Sequence, residues 1–135
     1  MLVIPGAYDE ALDRYHATGP EFDGYLSNHG PMVVEALSRL GRPELIHRWT
    51  DGYLAQLDEA PRGADPIRAD AWVDALGDPR RVGDWAVYFL HQSQEQPWPD
   101  LLATWWPRLL PGIAAGATHG VIRTGHAVRA LQDAT

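Results

Sequence analysis

The chain contains no cysteine and no lysine. Without cysteine it has no disulfide, no thiolate metal ligand and no cysteine nucleophile, and nothing fixes its redox compartment. All 11 basic residues are arginine, which removes Schiff-base lysine chemistry. No apolar run approaches the roughly 20 residues that a membrane-spanning helix needs. The start Met1-Leu2-Val3-Ile4-Pro5 is too short and uncharged for a signal peptide. These absences make a soluble, cytoplasmic protein with no membrane contact the expectation. Cationic charge is also in short supply, with 18 acidic residues against 11 basic ones and a net charge of -7. Such a field repels phosphate and argues against nucleic acid as a partner. A glycine-rich phosphate loop, a nucleophile elbow and a dinucleotide fingerprint are missing too.

What the chain does have is a large apolar fraction for its 135 residues, 45% hydrophobic with six Trp and five Tyr, enough to form a core. Length and the absence of a long linker predict one domain over residues 1–135. The apolar spacing is helical nearly throughout, and no alternating run is long enough for a strand. The expected class is therefore all-α, an irregular fold of about six helices.

The spacing predicts a first helix from Tyr8 to about Ala17 with Ala11, Leu12 and Tyr15 on one side, then a loop over Phe22 to Ser27. A second helix over Pro31 to Leu40 carries the stripe Val33, Val34, Ala36, Leu37 and Leu40, with Gly41 suited to a left-handed cap. A third starts at Pro43 and runs through Ile46, Trp49, Tyr53 and Leu57. Asp70 to Leu76 reads as a short helical piece. Asp78-Pro79 starts a fourth long helix whose Val82, Trp85, Ala86, Phe89 and Leu90 share a face. Pro97-Trp98-Pro99 then breaks the chain, and Leu101, Leu102, Trp105, Trp106 and Leu109 resume it, with Pro107 a kink or stop. A last helix from Ile113 or His119 to Gln132 contains Gly120 and Gly125, so it needs tertiary support.

Two histidine-bearing phrases stand out. In Ser27-Asn28-His29-Gly30-Pro31-Met32 an imidazole sits at a helix entrance. In Thr118-His119-Gly120-Val121-Ile122-Arg123-Thr124-Gly125-His126-Ala127 the spacing puts His119, Arg123 and His126 on one helix face, opposite Val121, Val128 and Leu131. That face reads either as a solvated polar surface or as the wall of a pocket. His119 and His126 are about 10.5 Å apart along the axis, too far to chelate one ion as readily as the four-residue spacing of helical zinc sites does. His16, His47 and His91 read as surface or core-edge residues, and Glu35, Asp84 and Glu95 are too scattered for an acid/base pair.

The phrase Leu26-Ser27-Asn28-His29-Gly30-Pro31-Met32, followed by Ala36-Leu37-Ser38-Arg39-Leu40-Gly41, resembles the N-terminal signature of the questin oxidase-like family. The stretch from Trp105-Trp106-Pro107 through His119-Gly120-Val121-Ile122-Arg123-Thr124-Gly125-His126-Ala127 is similar to that family's next block, so the resemblance runs from about Tyr8 to the end. It implies a largely helical fold and an oxygenase of polyketide tailoring that oxidises and opens an anthraquinone-type ring. It further implies non-haem iron in a histidine-rich site with a modified lysine, molecular oxygen, and NADPH as an additional cofactor. By motif match His29 and His119 are the expected metal ligands, with Arg123 and His126 as the catalytic pocket residues. Family members are more than twice this length, so the chain reads as an N-terminal portion. Completion by a second copy or a complementary chain is then expected, because two imidazoles do not close an iron site and no lysine is present. The competing reading is a non-catalytic helical binding or assembly module in which Trp98, Trp105 and Trp106 dock a partner and the histidines are structural.

Overall fold

A computed structural model describes residues 6–134; the apolar start Met1 to Pro5 lies outside them. Most of the chain is helical, with six α-helices among the described residues. Two compact units are built from it, one from residues 6–60 and 113–134, the other from Pro61–Gly112.

In the first unit α1 (Ala7–His16) has Asp9 and Glu10 in its first turn and Arg14 and His16 in its last, complementing the helix dipole. It packs on α2 (Gly30–Arg39) and α3 (Ile46–Leu54). Ala7, Ala11, Tyr15, Val34 and Ile46 are fully buried between these helices, with Leu12, Leu37, Trp49, Tyr53 and Leu57 packed around them. The small Ala7 and Ala11 allow α1 to approach closely, and the buried Tyr15 hydroxyl donates to Thr50 Oγ1 at 3.2 Å, so neither polar group is orphaned. The left-handed cap expected at Gly41 is present, with φ +73°.

Three expectations fail here. The segment expected as loop contains a minimal antiparallel hairpin, β1 (Glu21–Phe22) on β2 (Leu26–Ser27). Two-residue strands are too short to show alternation. The α2 stripe is also different from the one expected: Leu40 is 75% exposed while Glu35 is buried, because α6 (His119–Asp133) packs on α2 and supplies cations to that position. The third helix begins as a 3₁₀ turn over Pro43–Leu45, and its α-helical part ends at Leu54, short of Leu57.

The second unit is organised by aromatic rings. Trp105 of α5 (Trp98–Leu109) is buried, with Trp72, Trp85, Tyr88 and Phe89 edge-on to it at centroid distances of 5.1–5.6 Å. The Arg108 guanidinium lies over both Trp72 and Trp105. The expected docking role for an exposed Trp105 is thereby corrected: this residue is the unit's core. On α4 (Val82–Glu95) Leu90 is 45% exposed. The buried positions are instead Gly83 and Asp84, because the 61–66 loop lies over the helix start. Asp84 accepts the backbone N–H groups of Ala64 and Asp65 and the Arg81 guanidinium. These hydrogen bonds hold its carboxyl below the usual aspartate range. A side chain at Gly83 would overlap the Arg62 carbonyl. The expected break at Pro97 separates α4 from α5, and Pro107 falls in the last turn of α5, where one lost hydrogen bond is tolerated.

No helix among the described residues is long and apolar enough to cross a membrane.

Candidate functional site

The local structure around His29 explains each residue of its phrase. Asn28 is buried, and its side chain is fully used: Nδ2 donates to Thr18 Oγ1 (3.0 Å) and to the Gly19 carbonyl (2.9 Å), while Oδ1 accepts the Gly30 N–H (2.9 Å). This side-chain turn ties the loop after α1 to the entrance of α2. Gly30 is obligatory because a Cβ there would overlap the buried Tyr15 ring. Pro31 occupies the first turn of α2, where its missing N–H costs nothing. His29 is left as the residue before the helix, its backbone N–H donating to the Tyr53 hydroxyl at 3.0 Å, and its side chain exposed.

His119 is placed by a different device. The turn before α6 puts Gly116, Ala117 and Thr118 at φ +61°, +52° and +66°. Left-handed backbone costs a residue with a Cβ on the order of 1 kcal/mol, so packing of α6 must hold two residues in strain. The His119 ring turns back onto that turn, its Nδ1 lying 2.7 Å from the Gly116 carbonyl. A carbonyl only accepts, so Nδ1 carries the proton and Nε2 of the neutral ring presents its lone pair.

That lone pair meets His29. The two Nε2 atoms are 3.1 Å apart across ninety positions of sequence, with the rings nearly perpendicular. Two arrangements suit this distance. In the metal-free neutral pair, His29 Nε2–H donates to His119 Nε2. Alternatively both lone pairs face one ion: two metal–nitrogen bonds of about 2.1 Å at a right angle span about 3.0 Å. Imidazole nitrogens suit iron, copper or zinc, so this donor pair fits two adjacent positions of a coordination shell. Among the described residues no group of three or more His, Cys, Asp or Glu completes it.

His126 and Arg123 are separate from that pair. His126 Nδ1 is 2.8 Å from Glu35 Oε2, and Arg129 donates to both oxygens of the same carboxylate at 2.8 and 2.6 Å. Arg39 lies 3.7 Å away and reaches on to Asp133. The hydrogen bond from Arg129, helped by that from His126, lowers the Glu35 pKa from 4.5 to about 2, overriding the opposing effect of burial. Glu35 is thus an ionised buried carboxylate joining α2 to α6. In the sequence Glu35 reads only as a scattered carboxylate, because a single Glu inside an apolar stripe does not reveal its partners. The only available clue was that Glu35 would be the one charge on the buried face of its helix.

Arg123 projects one turn beyond His119. It retains exposed surface, while the protein around its guanidinium lowers its pKa by desolvation, partly offset by Tyr8. The Tyr8 phenol is pushed up by burial, by Glu35 and by Asp9, and pulled down by Arg123. Among the described residues Arg123 has no carboxylate partner.

A shallow groove of about 530 Å³ lies on the same unit. Leu37, Leu45, Arg48, Trp49, Gly52, Tyr53 and Gln56 line it. Trp49 and Tyr53 stack there at 4.6 Å, and the Tyr53 hydroxyl links this wall to the His29 backbone.

The chain matches no family model, no curated protein and no solved structure.

Proposed function

We propose that this chain carries part of an oxygenase-type site of the questin oxidase-like kind, with His29 and His119 as two metal ligands. The observation that carries the reading is the 3.1 Å approach of their Nε2 atoms from opposite ends of the chain. The Gly116 carbonyl supports it by fixing the His119 tautomer that leaves Nε2 free to ligate. Non-haem iron, when bound, would supply activation of molecular oxygen, with NADPH as the source of reducing equivalents. The proposed substrate is an aromatic polyketide such as an anthraquinone, undergoing ring oxidation and opening. Remaining ligands would come from a second copy or a complementary chain. This chain's own residues bind and orient. Arg123 stabilises negative charge on a substrate oxygen, His126 exchanges protons with it, and the Trp49–Tyr53 wall offers a flat apolar surface.

A second reading has an observation of its own. The neutral His29–His119 hydrogen bond is complete without metal and ties the entrance of α2 to the start of α6, as it would in a non-catalytic binding module with structural histidines.

One experiment separates them. Metal-stripped protein is titrated anaerobically with Fe(II), then with Zn(II), by calorimetry, and unfolding is followed in urea. The oxygenase reading expects one ion per chain and at least a tenfold loss of affinity in His29→Ala and in His119→Ala, with helicity retained. Absence of binding, or binding indifferent to both changes, overturns it. A metal-independent loss of stability in both variants would then support the structural tie.

A further inference from the structure

The structure points to a second chemical centre beside the histidine pair. We propose that Glu35 and His126 form a carboxylate–imidazole dyad in which His126 Nε2 takes the proton of a phenolic or enolic hydroxyl, and Arg123 holds the resulting oxyanion. The proposal rests on the preceding reading only for the class of ligand; the dyad itself requires no metal.

Geometry carries the argument. The Glu35 carboxylate is buried and ionised, and it can only accept hydrogen bonds, so His126 Nδ1 at 2.8 Å must be the protonated nitrogen. The lone pair of the neutral ring is therefore on Nε2, which has no partner among the described residues. Arg129 already satisfies both oxygens of Glu35. His126 is thus not needed to neutralise the carboxylate; the carboxylate instead fixes the tautomer and orientation of the ring. Its partner Glu35 on α2 is also approached by Arg39 on α2 and Arg129 on α6, and Tyr8 on α1 is within electrostatic reach of Glu35 and of Arg123.

The second observation is the state of Arg123. Arg14, Arg39, Arg42, Arg68, Arg80, Arg81 and Arg129 all have carboxylate partners. Among the described residues Arg48, Arg62, Arg108 and Arg123 have none, and of these four it is Arg123 that lies three residues from His126, adjacent to it on the helix face. A base with an open lone pair beside an unpaired guanidinium receives both products of an ionising hydroxyl. The O–H bond breaks, an N–H bond forms at His126 Nε2, and the electron pair stays on oxygen opposite Arg123. The imidazolium that forms is stabilised by Glu35. His126 is then the residue that touches the ligand, and Glu35 is a positioning residue.

The test uses the full chain stripped of metal, with 1,8-dihydroxyanthraquinone as the probe, because its visible spectrum reports its ionisation. Nitrogen-15 NMR of the histidine rings, assigned with His126→Gln, should show His126 protonated at Nδ1 and bare at Nε2. The bound dye should ionise at a pH where the free dye is neutral, with His126 becoming doubly protonated. Arg123→Gln and His126→Gln should each weaken binding of the anion at least tenfold, and Arg123→Lys should recover part of it. Glu35→Gln should bind dye in its neutral form and lose the single tautomer. If that variant does not fold, His126→Gln still decides. An Nε2–H tautomer in the wild type, no dye binding, or dye bound neutral overturns the proposal. The dye result is read on metal-stripped protein and the metal titration on protein without dye, so failure of metal binding and failure of the dyad are distinguishable.

Discussion

Glu35 and Arg129 form a two-point ion pair, with both guanidinium donors within 2.8 Å of a carboxylate that is almost wholly buried. It joins α2 to α6, and a share of the protein's acid sensitivity is expected from it. The folded state holds the Glu35 pKa at about 2, below its ordinary 4.5. A depressed pKa contributes stability that is present above the unfolded value and lost as pH falls through the folded one. Between about pH 4.5 and pH 2 this residue alone should therefore remove about 3 kcal/mol. Urea midpoints measured from pH 6 down to pH 2 check this; in Glu35→Gln the loss over that interval should shrink by about the same amount.

Glycines at two helix positions should respond oppositely to alanine. Gly30→Ala drives a methyl into the Tyr15 ring and should cost about 1–3 kcal/mol, as overpacking does. Gly125→Ala meets open space within α6 and should gain up to about 1 kcal/mol from helix propensity. Chemical denaturation of both variants is sufficient. Equal signs would mean that the packing of Tyr15 against the entrance of α2 is wrong.

Trp105→Ala should cost about 3–5 kcal/mol, because it removes the ring around which Trp72, Trp85, Tyr88 and Phe89 are arranged. Hydrogen exchange should show the loss of protection across Pro61–Gly112. A neutral outcome would return Trp105 to the role of an exposed docking residue.

Ala117→Gly should leave stability unchanged or raise it by up to about 1 kcal/mol, since glycine adopts φ +52° without strain. The same change should weaken any ion held by His119 through loss of preorganisation. Paired urea and metal titrations report the two effects separately.

Much of this could be read from the residues. The helical period of Ala11, Tyr15, Val34, Ile46, Trp49 and Tyr53 identified the first unit's core, and all of them are buried or packed against it. His29 at a helix entrance and His119 at a helix start were also legible, because Gly-Pro and the glycine-rich stretch mark those boundaries. Their mutual approach was not, since no local pattern encodes contact across ninety positions. Glu35 and Asp84 read in the sequence only as scattered carboxylates, for a related reason. A buried carboxylate is recognisable only once its donors are known, and those of Glu35 lie more than ninety residues away. The hairpin and the ring cluster around Trp105 depend on pairings that period counting does not register.

If an ion is held as proposed, the His29–His119 approach would give this cysteine-free chain a reversible closure in place of a disulfide. An ion gripping both nitrogens would convert the intervening segment into a ring. By the loop-entropy relation used for disulfides, a ring of that size restricts the unfolded chain by about 4–5 kcal/mol. Unlike a disulfide, this fastening opens with a chelator or with acid and closes again without an oxidant, so the cohesion of the protein would follow the supply of the ion.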